Sequence, residues 1–188
     1  MFVAIVPPEE AVEHLDEFLD VRRESGSFRW TPAEQFHFTL AFCAAVPGGK
    51  SDDFVDRLER AAAKRTSFEL RISGGGAFPD PASARVLWAG AQTDDAGRSE
   101  LERAAAGART AAATAGIEVD GRRFAPHLTV ARLGRPTEMS NWVRLLEAYE
   151  GPSWRADRVT LIESHLGEGP RRRPRYEVVE EFALHTRP

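Results

Sequence analysis

The chain has 188 residues, of which 42% are hydrophobic and 29% charged, and its formal net charge is −4 at pH 7. This balance is typical of a folded globular protein and excludes a disordered chain, and no apolar run approaches the roughly 18 residues of a membrane-spanning helix. The net charge also differs from the strongly basic balance of most nucleic-acid-binding domains.

The cysteine content and the first residues indicate a compartment. Cys43 is the single cysteine, so an internal disulfide cannot form, and the N-terminus shows no basic region ahead of an apolar one. We therefore expect one domain covering residues 1–188, in a reducing cytoplasm and without membrane association.

Alternating and helical patterns define the elements of the first half of the chain. The predicted strands are residues 2–6, 36–42 and 67–73, and the predicted helices are residues 9–21 and 51–65. Ser51 is predicted to cap the second helix. Gly74-Gly75-Gly76 lacks the Lys-Ser/Thr of a P-loop and the spacing of a dinucleotide-binding loop, so it is predicted to form a flexible turn.

The second half repeats this mixture of strands and helices. The predicted strands are residues 84–91, 127–131, 158–165 and 176–184, and the predicted helices are residues 94–115, which ends near Gly116, and 138–149. Strands outnumber helices and alternate in polarity. This order predicts an α+β fold with two similar lobes of mainly antiparallel sheet, outer helices and a central cleft.

A pentapeptide pattern occurs once in each half, as His37-Phe38-Thr39-Leu40-Ala41 and His127-Leu128-Thr129-Val130-Ala131. Successive side chains of a strand point to opposite faces, so the His, Thr and Ala of each copy are predicted to share one face. The intervening apolar residues are predicted to face the core. We expect the two His-x-Thr faces to line the cleft, where the small alanines leave room for a ligand.

Paired histidines suit proton transfer. Imidazole has an unperturbed pKa of about 6.5, so one ring can act as a base while the other acts as an acid, as an in-line displacement at phosphorus requires. The threonine hydroxyls can donate hydrogen bonds to the non-bridging phosphoryl oxygens. His37, His127, Thr39 and Thr129 are therefore the predicted catalytic residues. The other histidines, His14, His165 and His185, lack this setting and are predicted to be surface or structural residues.

Two other uses of these residue types are less well supported. A zinc site needs three or four closely spaced ligands, and the chain has neither Cys-x-x-Cys nor His-Glu-x-x-His. A catalytic cysteine nucleophile is the second use. Cys43 directly follows a strand residue of the apolar face, and a lone cysteine usually behaves as an inert small hydrophobe. The scheme needs no metal, and we expect no cofactor.

Arginine dominates the basic residues, because only Lys50 and Lys64 of the 25 basic residues are lysines. Arginine clusters, at 22–23, 122–123, 132, 135 and 171–175, could bind phosphate through their planar forks. Such clusters also fit a biased base composition or a solvated surface.

Aromatic side chains near the motifs could stack on RNA bases. The candidates are Trp30, Phe42, Phe78 and Trp88, for which packing in the core is the default role. Phe42 and Arg132 are the predicted substrate-binding residues. Strict alternation places both on the faces opposite the histidines, so they rank below the motif residues.

Further segments resemble the landmarks of a known protein family and occur in the same order as in that family. They are the opening Met1–Pro7, Arg29-Trp30, Ala77-Phe78-Pro79, Arg85–Gly90, Pro126, Ser164-His165-Leu166 and Tyr176. Together with the two motifs they cover nearly the whole chain. The chain resembles the 2H phosphoesterase superfamily and, within it, the RNA 2′,3′-cyclic phosphodiesterase family, also called LigT-like or 2′-5′ RNA ligase. It departs from the family pattern at Phe38, Val130 and 42–45, and in an unusually basic loop at 167–175.

The resemblance implies two lobes related by a pseudo-twofold axis and an enzyme that opens RNA 2′,3′-cyclic phosphates to 2′-phosphomonoesters, with reverse 2′-5′ ligation as a second reaction. It implies that His37 is the proton donor and His127 the proton acceptor, and that the partner is RNA with a cyclic phosphate end, or a cyclic nucleotide. We expect a monomer. Two alternatives stay open, namely an RNA-end binding module and a phosphodiesterase for another cyclic or 2′-5′ linked nucleotide.

Overall fold

The computed structural model describes residues 1–24, 26 and 28–186, and the side chain of Arg171, in the predicted basic loop, lies outside the described residues. The elements in chain order are β1 (Phe2–Ile5), α1 (Glu9–Arg23), β2 (Arg29–Trp30), β3 (Phe38–Phe42), α2 (Ser51–Ala62), β4 (Phe68–Phe78), β5 (Ala84–Gln92), α3 (Asp95–Thr114), β6 (His127–Thr137), α4 (Ser140–Glu147), β7 (Glu150–Ala156), β8 (Arg158–His165) and β9 (Arg175–Ala183). Among the described helices, none is long and apolar enough to cross a membrane.

The strands of the described residues form one nine-stranded sheet in the order β7-β4-β5-β6-β3-β1-β8-β9, with the short β2 pairing with β6. Each strand pair in this order is antiparallel. The order is symmetric about the contact between β6 and β3, because three strands follow on each side. The prediction of an α+β fold with two related halves of antiparallel sheet is therefore confirmed.

Helices cover the sheet with apolar faces spaced three and four residues apart. On α1 the buried positions include Leu15 and Leu19, and on α2 they include Phe54 and Leu58. Burying each such side chain contributes about 1.5–3 kcal/mol. The buried face of α3 consists mainly of alanines, whose small size lets this helix lie close to its neighbours.

The local signals at two helix starts differ. Asp94 caps α3, where its carboxylate accepts from the Gly97 N–H at 2.7 Å. Ser51 is the first residue of α2 and follows Lys50, and within the described part of the chain no side chain caps this helix start. The predicted cap at Ser51 is therefore wrong. Acidic residues in the first turn of α2 provide the favourable charge at this end instead.

The triple glycine lies inside β4, so the predicted flexible turn is wrong. Gly75 and Gly76 pair with β5, and a Cβ atom at Gly76 would overlap the Trp88 ring, while one at Gly75 would overlap the Leu146 side chain. Gly74 has φ +71° where the register shifts, a conformation that glycine adopts without strain. The glycines thus allow close packing within a bulged strand.

Candidate active site

The two His-x-Thr motifs meet at the centre of the sheet. Phe38 on β3 pairs with Leu128 on β6 in an antiparallel register. In an antiparallel ladder the flanking residues then lie across from each other, so the His of each motif faces the Thr of the other. His37, Thr39, His127 and Thr129 all line one cleft. The structure thus brings together the four residues that were predicted to be catalytic.

Backbone carbonyls orient both imidazole rings in the same way. Nδ1 of His37 donates to the carbonyl oxygen of Gln35 at 2.7 Å, and Nδ1 of His127 donates to that of Ala125 at 2.7 Å. A carbonyl oxygen only accepts, so Nδ1 carries the hydrogen in each neutral ring. Nε2 is consequently the atom that can take up or release a proton.

Aromatic side chains surround each histidine. The His37 ring stacks on Phe2 with centroids 4.6 Å apart and meets Tyr176 edge-on at 5.6 Å. The His127 ring meets Phe78 edge-on at 4.9 Å and lies 6.3 Å from Trp88. Both rings are therefore held in fixed positions and partly shielded from water.

This surrounding changes the protonation of His37. Burial lowers its pKa from the ordinary 6.5 to about 4, the hydrogen bond to the Gln35 carbonyl opposes the shift, and the charges of His127 and Arg132 reinforce it. The free protein therefore carries a neutral imidazole at this position at neutral pH.

The pKa of His127 is also lowered, with burial as the largest cause and a smaller upward contribution from its hydrogen bond to the Ala125 carbonyl. The positive charges of Arg132 and Arg122 lower it further. Both histidines of the free protein are therefore neutral bases at neutral pH. An anion in the cleft would raise both pKa values, because it favours the protonated imidazole.

A β-bulge within the first motif changes which side chains face the cleft. Between Thr39 and Ala41 the pairing with β1 advances two residues on β3 and one on β1. Leu40 and Ala41 are consequently both buried, and Phe42, 47% exposed, lines the cleft. The prediction from strict alternation was wrong for Ala41 and for Phe42.

The second motif contains the same bulge. Between Thr129 and Ala131 the pairing with β5 advances two residues on β6 and one on β5. Val130 and Ala131 are both buried, and Arg132 lines the cleft. The predicted orientation was wrong for Ala131 and Arg132 as well. In the sequence, the signal for this change is a pair of consecutive apolar residues at equivalent positions of both motifs, Leu40-Ala41 and Val130-Ala131.

Several cleft residues, among them Arg29, Thr31, Gln35 and Ser164, were not assigned a role from the sequence, whereas Trp30 was a stacking candidate. β2 pairs Arg29 with Arg132 and Trp30 with Ala131, which places two arginines side by side. The indole N–H of Trp30 is buried and has no partner among the described residues. Gln35 and Pro174 also line the cleft, and the Gln35 side chain donates to the Pro174 carbonyl oxygen at 2.8 Å. The walls also contain Thr31, Pro32, Ser164, Arg173 and Tyr176.

The other predicted candidates lie beside the cleft, in its wall or away from it. Phe78 and Trp88 pack together beside His127, with ring centroids 5.3 Å apart. Cys43 is buried. Arg22 and Arg23 bind groups of their own helix, α1. Among the described residues, the lining of the cleft includes Arg173 from the predicted basic loop.

The remaining three histidines have structural contacts and do not line the cleft. His14 is hydrogen-bonded with the Tyr149 hydroxyl at 2.9 Å, and His165 lies beside carboxylates of β8 and β9. The backbone N–H of His185 donates to the Arg65 carbonyl at 2.7 Å.

Known proteins resemble this chain in sequence and in fold. The RNA 2′,3′-cyclic phosphodiesterase of Geobacillus stearothermophilus is 30% identical over 186 residues, which are 97% of this chain and 56% of that protein, so the chain spans about half the length of this relative. A crystal structure from Thermus thermophilus superposes with a TM-score of 0.78 and 27% identity, covering 97% of this chain and 96% of that one. Escherichia coli LigT in its apo form superposes with a TM-score of 0.76 and 25% identity, over 97% of this chain and 95% of that one.

The family assignment rests on a family model that matches most of the chain. The family model described as the 2′-5′ RNA ligase superfamily matches residues 7–168, which include both His-x-Thr motifs. The resemblance found in the sequence is thereby confirmed, and the chain belongs to the 2′-5′ RNA ligase superfamily.

Proposed function

We propose that the protein hydrolyses RNA 2′,3′-cyclic phosphate ends to 2′-phosphomonoesters without a metal, with His37 and His127 as the acid and base. The observation that carries this proposal is the pair of imidazoles in one cleft, each with Nδ1 bound to a backbone carbonyl and Nε2 left for proton transfer. The name of the Geobacillus relative, RNA 2′,3′-cyclic phosphodiesterase, supports the same reaction.

The reaction is a displacement by water at the cyclic phosphorus. Nε2 of His127 accepts a proton from the water as its oxygen bonds to phosphorus, and the bond from phosphorus to the 3′ oxygen breaks. Nε2 of protonated His37 donates its proton to that departing oxygen, which becomes the 3′ hydroxyl. Each proton transfer typically contributes roughly 10² to 10⁴ in rate.

The anionic substrate prepares the acid for this reaction. Both histidines are neutral in the free protein because their pKa values are lowered. A bound phosphodiester carries a negative charge, which raises the pKa of a neighbouring imidazole. Substrate binding therefore favours a protonated imidazole in the cleft, and the proposed role assignment places this proton on His37.

Other cleft residues hold the phosphate and the base. Thr39 and Thr129 donate hydrogen bonds to the non-bridging oxygens, where negative charge accumulates. Arg132 neutralises the phosphate with its planar fork. Phe42, with its ring exposed at the cleft, provides a face on which a base can stack.

Ligation follows from the same chemistry run with a different nucleophile. If the 5′ hydroxyl of a second RNA replaces water, the same base and acid form a 2′-5′ linkage and release the 3′ hydroxyl. The reverse of this ligation is cleavage of the 2′-5′ linkage to a cyclic phosphate and a 5′ hydroxyl. By microscopic reversibility, an enzyme that catalyses one of these two reactions also catalyses the other.

The test is turnover of a 2′,3′-cyclic mononucleotide and of an RNA with a cyclic end, each with and without EDTA. We expect hydrolysis to the 2′-phosphomonoester at the same rate in both conditions. Loss of activity in EDTA that a divalent ion restores would overturn the metal-free mechanism. Tight binding of the cyclic end without turnover would identify an RNA-end binding module instead. Hydrolysis restricted to another cyclic or 2′-5′ linked nucleotide would change the substrate class.

A further inference from the structure

A second groove continues the catalytic cleft beyond His127. Five residues line both: Thr39, Phe42, His127, Thr129 and Arg132. The groove then extends away from the acid and base along the segment that precedes His127. Its further lining includes Phe78, Val86, Arg109, Arg122, Arg123 and Phe124. A ligand that reacts in the cleft therefore has an open path into this groove.

The groove is positively charged although the whole chain is acidic. Its charged lining residues are four arginines and one aspartate, a net charge of +3, against a net charge of −4 for the chain. Cations concentrated in a groove of an acidic protein favour a polyanion at that place.

The single acidic residue is already neutralised. The Arg122 guanidinium donates to both carboxylate oxygens of Asp120, with Nε to Oδ2 at 2.8 Å. Hydrogen bonds from the Arg122 side chain and backbone lower the pKa of Asp120 to about 2. The carboxylate is thus charged and paired at neutral pH, and the other arginines of the groove keep their positive charge for a ligand.

A fixed backbone holds this wall of the groove. Arg109 on α3 donates to the carbonyl oxygens of Arg122 at 2.8 Å and Asp120 at 3.1 Å. This helix therefore anchors the segment that leads to His127. These contacts occupy the side chains of Arg109 and Arg122, and they do not involve the side chains of the next two residues.

Arg123 and Phe124 are those next two residues. Arg123 is exposed and has no ion pair or hydrogen bond among the described residues. Phe124 is half-buried and packs against the core while lining the groove. Both residues also line a shallow continuation over α3, beside Ala106 and Thr110. A free guanidinium next to a fixed aromatic ring is the combination that single-stranded RNA binds through its phosphates and bases.

We propose that this groove holds the RNA strand next to the cyclic phosphate end, with Arg123 at a phosphate and Phe124 against a base, so that the substrate is an oligonucleotide. A cyclic phosphate closes the 3′ end, so the rest of the RNA extends only in the 5′ direction and needs one path. The inference rests on the proposed function and specifies its substrate.

The experiment compares kcat/KM for a 2′,3′-cyclic mononucleotide with that for a short RNA carrying the same cyclic end. The variants are Arg123→Ala and Phe124→Leu, the latter chosen because leucine keeps apolar packing without an aromatic face. Arg60→Ala is the matched control, because Arg60 is an exposed arginine on α2 with no ion pair among the described residues. Circular dichroism and thermal melting check that each variant is folded.

The wild-type protein should prefer the oligonucleotide, and this preference should weaken as salt is added. Each groove variant should lower the ratio of the two kcat/KM values on the order of tenfold, mainly through KM for the oligonucleotide. Arg60→Ala should leave the ratio unchanged. Equal kcat/KM values for both substrates in the wild type, an unchanged ratio in both groove variants, or an equal loss in Arg60→Ala would overturn the inference.

Failure of the proposed function has a different signature. In that case the wild-type protein hydrolyses neither substrate. Fluorescence anisotropy with a labelled RNA bearing the cyclic end then decides the groove separately. Binding that weakens about tenfold in Arg123→Ala but not in Arg60→Ala supports the groove, and binding that is equal in all three proteins overturns it.

Discussion

His37 and His127 have the same residue type, the same carbonyl contact and similar aromatic neighbours, yet they differ in charge environment. His37 receives the charge effects of His127 and Arg132, whereas His127 receives those of Arg132 and Arg122. The sequence motif predicts both histidines as reactive residues. The motif does not predict the burial that lowers their pKa values, because this burial depends on strands that are far apart in the chain.

The lowered pKa values predict an acidic optimum for kcat/KM. This parameter reports the free protein, in which one ring must be protonated while both pKa values lie below 6.5. We therefore expect a bell-shaped profile with its maximum below pH 6.5. The two apparent pKa values belong to the pair.

The profile of kcat provides the internal control. It reports the bound complex, in which the phosphodiester raises both imidazole pKa values, so its maximum should lie at higher pH than that of kcat/KM. Initial rates across the pH range at low and saturating substrate measure both profiles. A kcat/KM value that still rises above pH 8 would contradict the protonation states described for the cleft.

Bulges within two strands, rather than the strands alone, bring Phe42 and Arg132 to the cleft. Strict alternation predicts the His and Thr positions correctly, because they precede the extra residue in each strand. It fails for the residues after it. A bulge depends on pairing with a neighbouring strand, and a single strand sequence does not contain that register.

Arg132 and Arg135 allow a test on one strand. Arg132→Ala should raise KM for a cyclic phosphate and lower kcat on the order of 10² because a charged donor to the developing oxyanion is lost. Arg132→Lys should recover part of the activity, since it restores the charge but not the planar fork. Steady-state kinetics measure these effects.

Arg135→Ala is the control for that series, because Arg135 lies on β6 and does not line the cleft. It should retain wild-type kinetics. Equal losses in Arg132→Ala and Arg135→Ala would show that the effect comes from the overall positive charge and not from a phosphate contact of Arg132. No loss in either variant would show that Arg132 does not bind the phosphate.

The glycines of β4 illustrate why element prediction failed locally. A run of glycines resembles a turn in sequence, but here the missing side chains make room for Trp88 and Leu146. β7 was not predicted, because Glu150–Ala156 has only weak apolar alternation, and it becomes a strand by pairing with β4. Both features depend on neighbours that are distant in sequence.

Gly76→Ala tests this packing. The new Cβ would overlap the Trp88 ring, so we expect a loss of about 1–3 kcal/mol in the free energy of unfolding. Gly134→Ala on β6 is the matched control, because no atom of the described residues lies within 4 Å of the position that its new methyl group would take, and it should be neutral or slightly stabilising. Urea denaturation measures both, and equal stability of the two variants would contradict the packing role of Gly76.

At the scale of the whole molecule, the sheet order is symmetric about β6 and β3, and the two motifs lie at its centre. The repeated motif and the alternating strands predict this architecture, because a pair of equivalent motifs needs equivalent surroundings. The second groove beside His127 could not be predicted, since it forms where α3 meets the segment before β6. A single domain over residues 1–188 stays a prediction.

The central claim is that His37 and His127 act at one phosphorus as acid and base. Each alanine variant should lower kcat on the order of 10² to 10⁴. Thr39→Ala and Thr129→Ala should cost less, because each removes a neutral donor. His14→Ala, a histidine outside the cleft, should retain wild-type kcat.

A substrate with an improved leaving group tests this claim most directly. In a cyclic phosphate whose 3′ bridging oxygen is replaced by sulfur, the leaving thiolate needs no proton. We predict that this substrate restores the rate of His37→Ala close to that of the wild-type protein and leaves His127→Ala slow. Rescue of His127→Ala alone would exchange the two roles, and rescue of neither variant, together with a flat pH profile, would contradict acid-base catalysis by this pair.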